Sequence, residues 1–529
     1  MGGFQAAHRR LARRTLRSDR ADPPVAFELD GHPVEATAGV SLLEALRDQL
    51  GVRSVKDGCS PQGQCGCCTV LVDGAPRVAC VTPVARVGGR AVTTVDGLDD
   101  ADRWADAFAQ CGASQCGFCT PGIIMRLSAM IPADRVDRAK VDRALLAHLC
   151  RCTGWQTIRE ACVTVGEETG VTEPSAPTER DLDAAARRAA LEGRVAQTVG
   201  PDVALGRGGF ADDAAPSEAL IAVRGPDDDW VVAETLTAAR ELAGKVQGRR
   251  TTAPASHPVD LPDGDWTHTL RTTWIEPAYL EPDAAWCRPG GEPVSPLGNG
   301  GAFGGKVTSD VTLVARRLAD EHDRPVRVLW SREDTVRHGP KRPPVAIGLR
   351  SDGTGVVRAV RPEVIRDVPV PDGVALEWVD VAGPPVSLDL RAAVWAEVAA
   401  VHAIATDADT ITTPDGAVGA AEIADDGAVR IQVACGEVLD ETVLRSYCIG
   451  AAHMALGMVR SESVSLDDHG SPLDLTIRSF GVLRSVDTPP IEFAVGASDG
   501  PAVNGSDAVF AAVLAAAWRA AGAPDRWPV

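Results

Sequence analysis

Hydrophobic residues alternate with polar ones from Val25 to Leu29, stop at Asp30-Gly31 and resume at Val34, which predicts a hairpin. Leu42, Leu43, Ala45, Leu46 and Leu50 then fall at helical spacing behind a Ser41–Glu44 capping-box pair, and Gly51 closes that helix. A loop rich in cysteine and glycine follows. Thr69–Val72, the turn Asp73-Gly74 and Val78–Val81 predict a second hairpin with Cys80 on its return strand. Residues 25–100 thus read as a small α+β unit. Over 101–170 the period becomes helical. Ile123, Ile124, Leu127 and Met130 make one apolar face behind the helix start Thr120-Pro121, Val141, Leu145, Leu146 and Leu149 make another, and Thr153 is expected to cap a last helix. Residues 171–184 read as a polar linker with two prolines. The remainder, 185–529, reads as mixed α/β with Gly-rich turns and two apparent units near 265–365 and 430–529.

Composition narrows the function classes. The longest apolar stretch, Ala508–Trp518, falls short of the roughly 20 residues of a membrane helix. A net charge of −20 argues against a nucleic-acid partner, because phosphate binding needs clustered Lys and Arg, and it is read here as a solubility feature. Residues 1–24 carry Arg9, Arg10, Arg13, Arg14, Arg17 and Arg20 with no apolar run behind them. They are expected to be a disordered basic tail rather than a secretory signal, on a cytoplasmic protein.

Of 14 cysteines, ten lie between Cys59 and Cys152, and in a reducing compartment that density points to metal rather than disulfides. Five residues separate Cys59 from Cys65, two separate Cys65 from Cys68 and eleven separate Cys68 from Cys80, close to the plant-type 2Fe–2S spacing. Gly58, Gly63 and Gly66 let the loop wrap a cluster and aim N–H groups at sulfur. Cys67, between two candidate ligands, is expected to point away. A second set, Cys116 with Cys119 and Cys150 with Cys152, sits at two predicted helix starts, where the helix dipole favours thiolates. Four thiolates in paired spacing also suit zinc, and on spacing alone that alternative stays open, more so for the second set.

The segments Cys59-Ser-Pro-Gln-Gly-Gln-Cys65-Gly-Cys-Cys68-Thr-Val, Gln115-Cys116-Gly-Phe-Cys119-Thr-Pro-Gly and Leu149-Cys150-Arg-Cys152-Thr-Gly-Trp resemble the iron–sulfur subunit of the xanthine dehydrogenase and aldehyde oxidase family, the molybdenum hydroxylases. The resemblance implies two 2Fe–2S clusters on these eight cysteines, a β-grasp, ferredoxin-like fold for 25–100, a four-helix fold for 101–170, and Gln115 beside molybdopterin. Weaker likenesses continue into the second half. Glu276-Pro-Ala-Tyr-Leu-Glu281-Pro and Gly300-Gly-Ala-Phe-Gly304-Gly305-Lys306 resemble parts of the family's molybdopterin-binding subunit, the latter its GGGFGGK loop, which implies Gly304 and Gly305 near that cofactor.

The second half departs from that family where chemistry is done. It has about half the length of the family's large subunits, and Ser506 stands where they place the catalytic glutamate. A serine cannot act unaided as a general base, and Asp507, one residue on, points elsewhere. No catalytic residue is therefore assigned. The expectation is an α+β chain in which 185–529 is a shortened molybdopterin-subunit-like domain. The chain would relay electrons, within an oxidoreductase complex, from a molybdopterin-binding large subunit to a FAD-binding subunit. The alternatives are that the chain itself binds molybdopterin and oxidises an aldehyde or N-heterocycle, or that it is a two-cluster redox sensor or scaffold.

Overall fold

Strand β1 (Val25–Leu29) turns at Asp30-Gly31 into β2 (His32–Ala36), and Ser41 caps the next helical turn by accepting the N–H of Glu44 at 3.2 Å. The reciprocal half of the expected capping box is absent. The Glu44 carboxylate instead accepts from the backbone and hydroxyl of Thr237, in the second half of the chain. Strands β3 (Thr69–Val72), β4 (Ala75–Val78) and β5 (Ala91–Thr93) complete a sheet of order β2-β1-β5-β3-β4. Phe27, Leu29, Leu42, Leu46, Val70 and Val92 form the core beneath it. The computed structural model describes residues 23–59, 62–130, 137–167, 180–225, 228–244, 253–294, 300–306 and 309–529. All but the last two residues of the expected basic tail lie outside these residues, as does most of the expected linker.

Four helices follow: α1 (Ala101–Cys111), α2 (Thr120–Ser128), α3 (Arg138–Ala144) and α4 (Gln156–Glu167). Two helix starts differ from expectation. Cys119, not Thr120, is the N-cap of α2, and α4 begins at Gln156, so Thr153 does not cap it. The Thr153 hydroxyl is turned toward Cys150, 3.1 Å from its sulfur.

The second half surrounds these two units. Helix α5 (Leu182–Gly193) leads into a four-stranded sheet of Leu220–Arg224, Trp230–Ala233, Ala284–Cys287 and Val326–Leu329, flanked by α6 (Leu236–Ala243) and α7 (Val311–His322). Helix α8 (Arg332–His338), with a complete capping box at Ser331 and Asp334, precedes a sheet of His268–Arg271, Val345–Leu349, Gly355–Val360 and Val374–Val379. Helix α9 (Trp395–Ala405), the sheet of Thr410–Thr412, Val418–Ile423, Val429–Ala434 and Ile491–Val495, and helices α10 (Glu441–Arg460) and α11 (Ser506–Ala520) build the largest core. Helix α10 is buried on nearly every face, which explains why its sequence shows little amphipathic period. No helix among the described residues is long and apolar enough to cross a membrane.

Candidate iron–sulfur site

The β3–β4 register pairs Thr69 with Val78, so the residues just outside the hairpin, Cys68 and Cys80, are brought together. Cys80 lies not on the return strand, as expected, but in the 3-10 turn Ala79–Val81 beyond it, and its N–H points at Cys68 Sγ, 3.4 Å away. Gln64 N–H likewise points at Cys59 Sγ at 3.2 Å. The sulfurs of Cys59, Cys65, Cys68 and Cys80 are buried and in mutual contact, Cys59 with Cys65 and Cys80, and Cys68 with Cys80. Hydrogen bonds from the Cys65 and Cys80 thiols pull the Cys59 thiol well below its ordinary value, and the same bonds push Cys65 and Cys80 up. Four buried sulfurs this close cannot all ionise unless positive charge sits among them.

The second set repeats this arrangement with different elements. Cys119 caps α2 and Cys116 lies in the turn before it, while Cys150 and Cys152 come from the loop before α4. Cys116 and Cys152 sulfurs are 3.6 Å apart, and Cys119 touches Cys150. The hydrogen bond from Cys119, helped by Thr153, draws the Cys150 thiol down to about 6, and Cys119 and Cys152 are pushed up. The second set presents two sulfur pairs and the first a chain of contacts through all four sulfurs, each a donor set of four thiolates such as two irons share. The donor chemistry of both sets fits a 2Fe–2S cluster.

The two sets meet at a seam. Leu149 N–H, next to Cys150, donates to the Cys65 carbonyl at 3.0 Å. The first turn of α2 lies directly on the Gly66–Cys67 backbone, since a Cβ added to Gly122 would stand 2.3 Å from the Gly66 carbonyl oxygen. Gly66 itself, at φ +77°, faces the His148 ring, and a Cβ there would come within 2.4 Å of it. Cys67 does not point away as expected. Its sulfur lies inside the loop beside that of Cys65, both 3.0 Å from where a Cβ of Gly58 would stand.

The second half holds this assembly by polar contacts. Arg151, between Cys150 and Cys152, makes a bidentate pair with Glu462 at 2.6 and 2.8 Å, and its Nε donates to Pro277 carbonyl. Arg332 donates to the carbonyls of Gly58 and Leu280. Arg478 reaches the Gln64 carbonyl, Trp155 the Leu483 carbonyl and Arg47 the carboxylates of Asp212 and Asp213. Sequence reasoning missed these residues, which come from segments up to about 400 positions away and carry no local motif.

The residues expected beside molybdopterin meet protein instead. Gln115 Nε2 donates to the Cys152 carbonyl and to Ser446 Oγ of α10, and the cavity at its side is about 20 Å³, room for one water. Gly304, at φ +91°, lies against the Asp389 carbonyl, and Gly305 lies against the Tyr279 ring. Their loop packs onto the second cysteine set, Gly301 facing Cys116 and Cys152. A cavity lined by Phe303, Arg342 and Arg391 is again about 20 Å³. Ser506 is fully buried, its hydroxyl accepting from Arg391 at 2.9 Å, and its N–H and that of Gly505 donate to Glu192 of α5. Asp507 is ion-paired with Arg194 and Arg391 beside a cavity of about 190 Å³. Cofactor pockets are typically about 300–1,000 Å³. Molybdopterin does not fit beside these residues, because the cavities there are smaller than that range.

Comparison with known proteins agrees with this reading of the cysteine units. A family profile described as 2Fe-2S iron-sulfur cluster binding domain matches residues 22–96, and one described as 2Fe-2S binding domain matches residues 94–163. The xanthine dehydrogenase iron-sulfur-binding subunit of Escherichia coli O157:H7 is 41% identical over 138 residues, covering 25% of this chain and 86% of that protein. The nicotine 6-hydroxylase small subunit of Paenarthrobacter nicotinovorans is 36% identical over 156 residues, 29% of this chain and 94% of that protein. The structure of the aldehyde oxidoreductase from Desulfovibrio gigas superposes with a TM-score of 0.70 at 14% identity, covering 96% of this chain and 99% of that one, a likeness of fold. With the iron–sulfur subunit matched over most of its length, this chain belongs to the xanthine dehydrogenase and aldehyde oxidase family of molybdenum hydroxylases and is an oxidoreductase component of that family.

Proposed function

We propose that the chain is the electron-transfer component of a molybdenum hydroxylase-type complex. It would hold one 2Fe–2S cluster on Cys59, Cys65, Cys68 and Cys80 and a second on Cys116, Cys119, Cys150 and Cys152. The observation that carries this reading is the seam: both sets of paired sulfurs are buried and joined by the Leu149–Cys65 hydrogen bond. Such clusters take up and release one electron at a time. The residues of the chain do the rest. Backbone N–H groups of Gln64 and Cys80 stabilise charge on sulfur, glycines admit close packing, and the second half keeps water from the seam.

The electrons would come from a chain bearing molybdopterin and leave to a chain bearing FAD, and the chain would work in the cytoplasm. The names of the relatives, a small subunit and an iron-sulfur-binding subunit, support separate partners. The filled space around Gln115, Gly304, Gly305 and Ser506 argues against substrate oxidation on this chain. Closure of the Gln115 side by α10 favours a second reading, a two-cluster redox scaffold or sensor without a molybdopterin partner.

Purification from the native host tests both. Two sets of four ligands predict about four irons and equimolar sulfide per chain, no molybdenum in the isolated chain, and co-purifying flavin and molybdopterin subunits. Substituting Cys80→Ser is expected to remove the first cluster and Cys152→Ser the second, each leaving the other. Zinc in place of iron sinks the assignment. Iron without co-purifying subunits favours the second reading.

A further inference from the structure

A cation without a counter-ion lies behind the first candidate cluster site. Arg332 opens α8 after its Ser331 cap and is fully buried. Its Nη2 donates to the Gly58 carbonyl at 2.8 Å and to the Leu280 carbonyl at 3.0 Å, and its Nε reaches the Gly58 carbonyl at 3.3 Å. Gly58 precedes Cys59, and its backbone lies against the Cys65 sulfur, which would stand 3.0 Å from a Cβ there. Lys56, Arg188 and Lys341 are equally buried, and each faces a carboxylate, of Asp213, Glu192 and Glu276 in turn. Among the described residues no carboxylate comes within 4.0 Å of the Arg332 guanidinium, and its Nη1 has no hydrogen-bond partner. Asp283 and Glu333, close enough to feel its charge, accept instead from Tyr279 and Gln62. The second site is built differently, since its arginine, Arg151, is neutralised by Glu462.

We propose that Arg332 is a positioning residue for electron transfer, a buried cation without a counter-ion whose charge raises the reduction potential of the first cluster and leaves that of the second nearly unchanged. The inference rests on the proposed ligands of the first cluster, Cys59, Cys65, Cys68 and Cys80. A guanidinium keeps its charge when buried. Such a charge is costly without a partner of opposite sign, and four thiolates gathered around two irons supply one. Reduction adds one negative charge to that set without making or breaking a bond, and a fixed cation in surroundings that exclude water favours the added charge. At the second site the Glu462 carboxylate cancels the corresponding attraction of Arg151. The two carbonyl bonds fix the Arg332 guanidinium on the Gly58 side of the loop, so its effect falls on the first cluster.

The test is a redox titration of the full-length, cluster-loaded chain followed by electron paramagnetic resonance. Iron and sulfide are measured on each variant, and the two signals are told apart in the Cys80→Ser and Cys152→Ser chains. Arg332→Gln, which keeps an N–H donor and removes the charge, is expected to retain about four irons and to lower the first cluster's one-electron equilibrium about tenfold, about 59 mV, with a smaller shift at the second. Arg332→Lys, which keeps the charge, is expected to stay within about threefold of the native chain. An unchanged potential in Arg332→Gln, equal shifts of both clusters, or equal shifts in Arg332→Gln and Arg332→Lys overturn the inference. So does loss of the first cluster's iron from Arg332→Gln, which would make Arg332 a structural prop of the loop. Zinc, or no second iron signal, in the unmodified chain instead overturns the assignment of the clusters themselves.

Discussion

Replacing Glu462 with alanine leaves the Arg151 guanidinium buried between Cys150 and Cys152 without its counter-ion. The pair is bidentate at 2.6 and 2.8 Å, and its side chains are 3% and 1% exposed. Two charge-assisted bonds of about 1.5–3 kcal/mol each give about 3–6 kcal/mol, in line with the roughly 3–5 kcal/mol lost when one partner of a buried pair is removed. Taking about 4 kcal/mol, opening of the loop that carries Cys150 and Cys152 becomes about a thousandfold more frequent. With a urea slope of about 2 kcal/mol per molar, the midpoint for losing the second cluster falls by about 2 M, read from visible circular dichroism. The double variant Arg151→Met with Glu462→Leu removes both charges and is expected to lie within about 1–2 kcal/mol of the native chain. If Glu462→Ala costs under about 1 kcal/mol, or the double variant is as unstable as the single one, the pair does not hold the loop in the way argued.

The pocket for Glu462 depends on Gly457, where a Cβ would lie 2.2 Å from Oε1, so Gly457→Ala is expected to reproduce part of the same loss in the same urea assay. Gly66→Ala sets a Cβ 2.4 Å from the His148 ring at φ +77°, and about 2–4 kcal/mol of strain is expected to halve the iron content by losing the first cluster. Gly301→Val brings side-chain atoms onto the sulfurs of Cys116 and Cys152 and is expected to lose the second cluster while the first keeps its signal. His453 is fully buried, and burial lowers its pKa to about 4 despite the hydrogen bond to Leu483 carbonyl. The unfolded chain takes up that proton near pH 6.5 and the folded chain only near 4, so stability falls as pH drops through this window. The slope is up to about 1.4 kcal/mol per pH unit, and His453→Gln is expected to flatten urea midpoints measured between pH 7 and 4.5.

The cysteine units were legible because their information is local. The candidate ligands come as short spacings, and the hairpin turn Asp73-Gly74 and the Pro121 helix start sit beside them. Errors appeared where the chain answers to distant segments. Thr153 could be read as a cap, but its hydroxyl turns to Cys150. Cys67 could be read as facing out, but α2 closes over its backbone. The Ser41–Glu44 pair is half a capping box because Thr237 claims the carboxylate. For Gln115, Gly304 and Gly305 the motif is legible but its surroundings are not, since Ser446, Asp389 and Tyr279 stand against them. A motif records which backbone path a loop follows, and the contents of the space beside it are set by residues hundreds of positions away.

The closed space around Ser506 bears on how the chain matures. Glu192, Arg391 and Arg194 meet there as residues synthesised with the polypeptide. If the chain holds no pterin, as proposed, folding of this half does not depend on molybdenum uptake or pterin synthesis. Cells starved of molybdenum are then expected to accumulate the chain to its usual level.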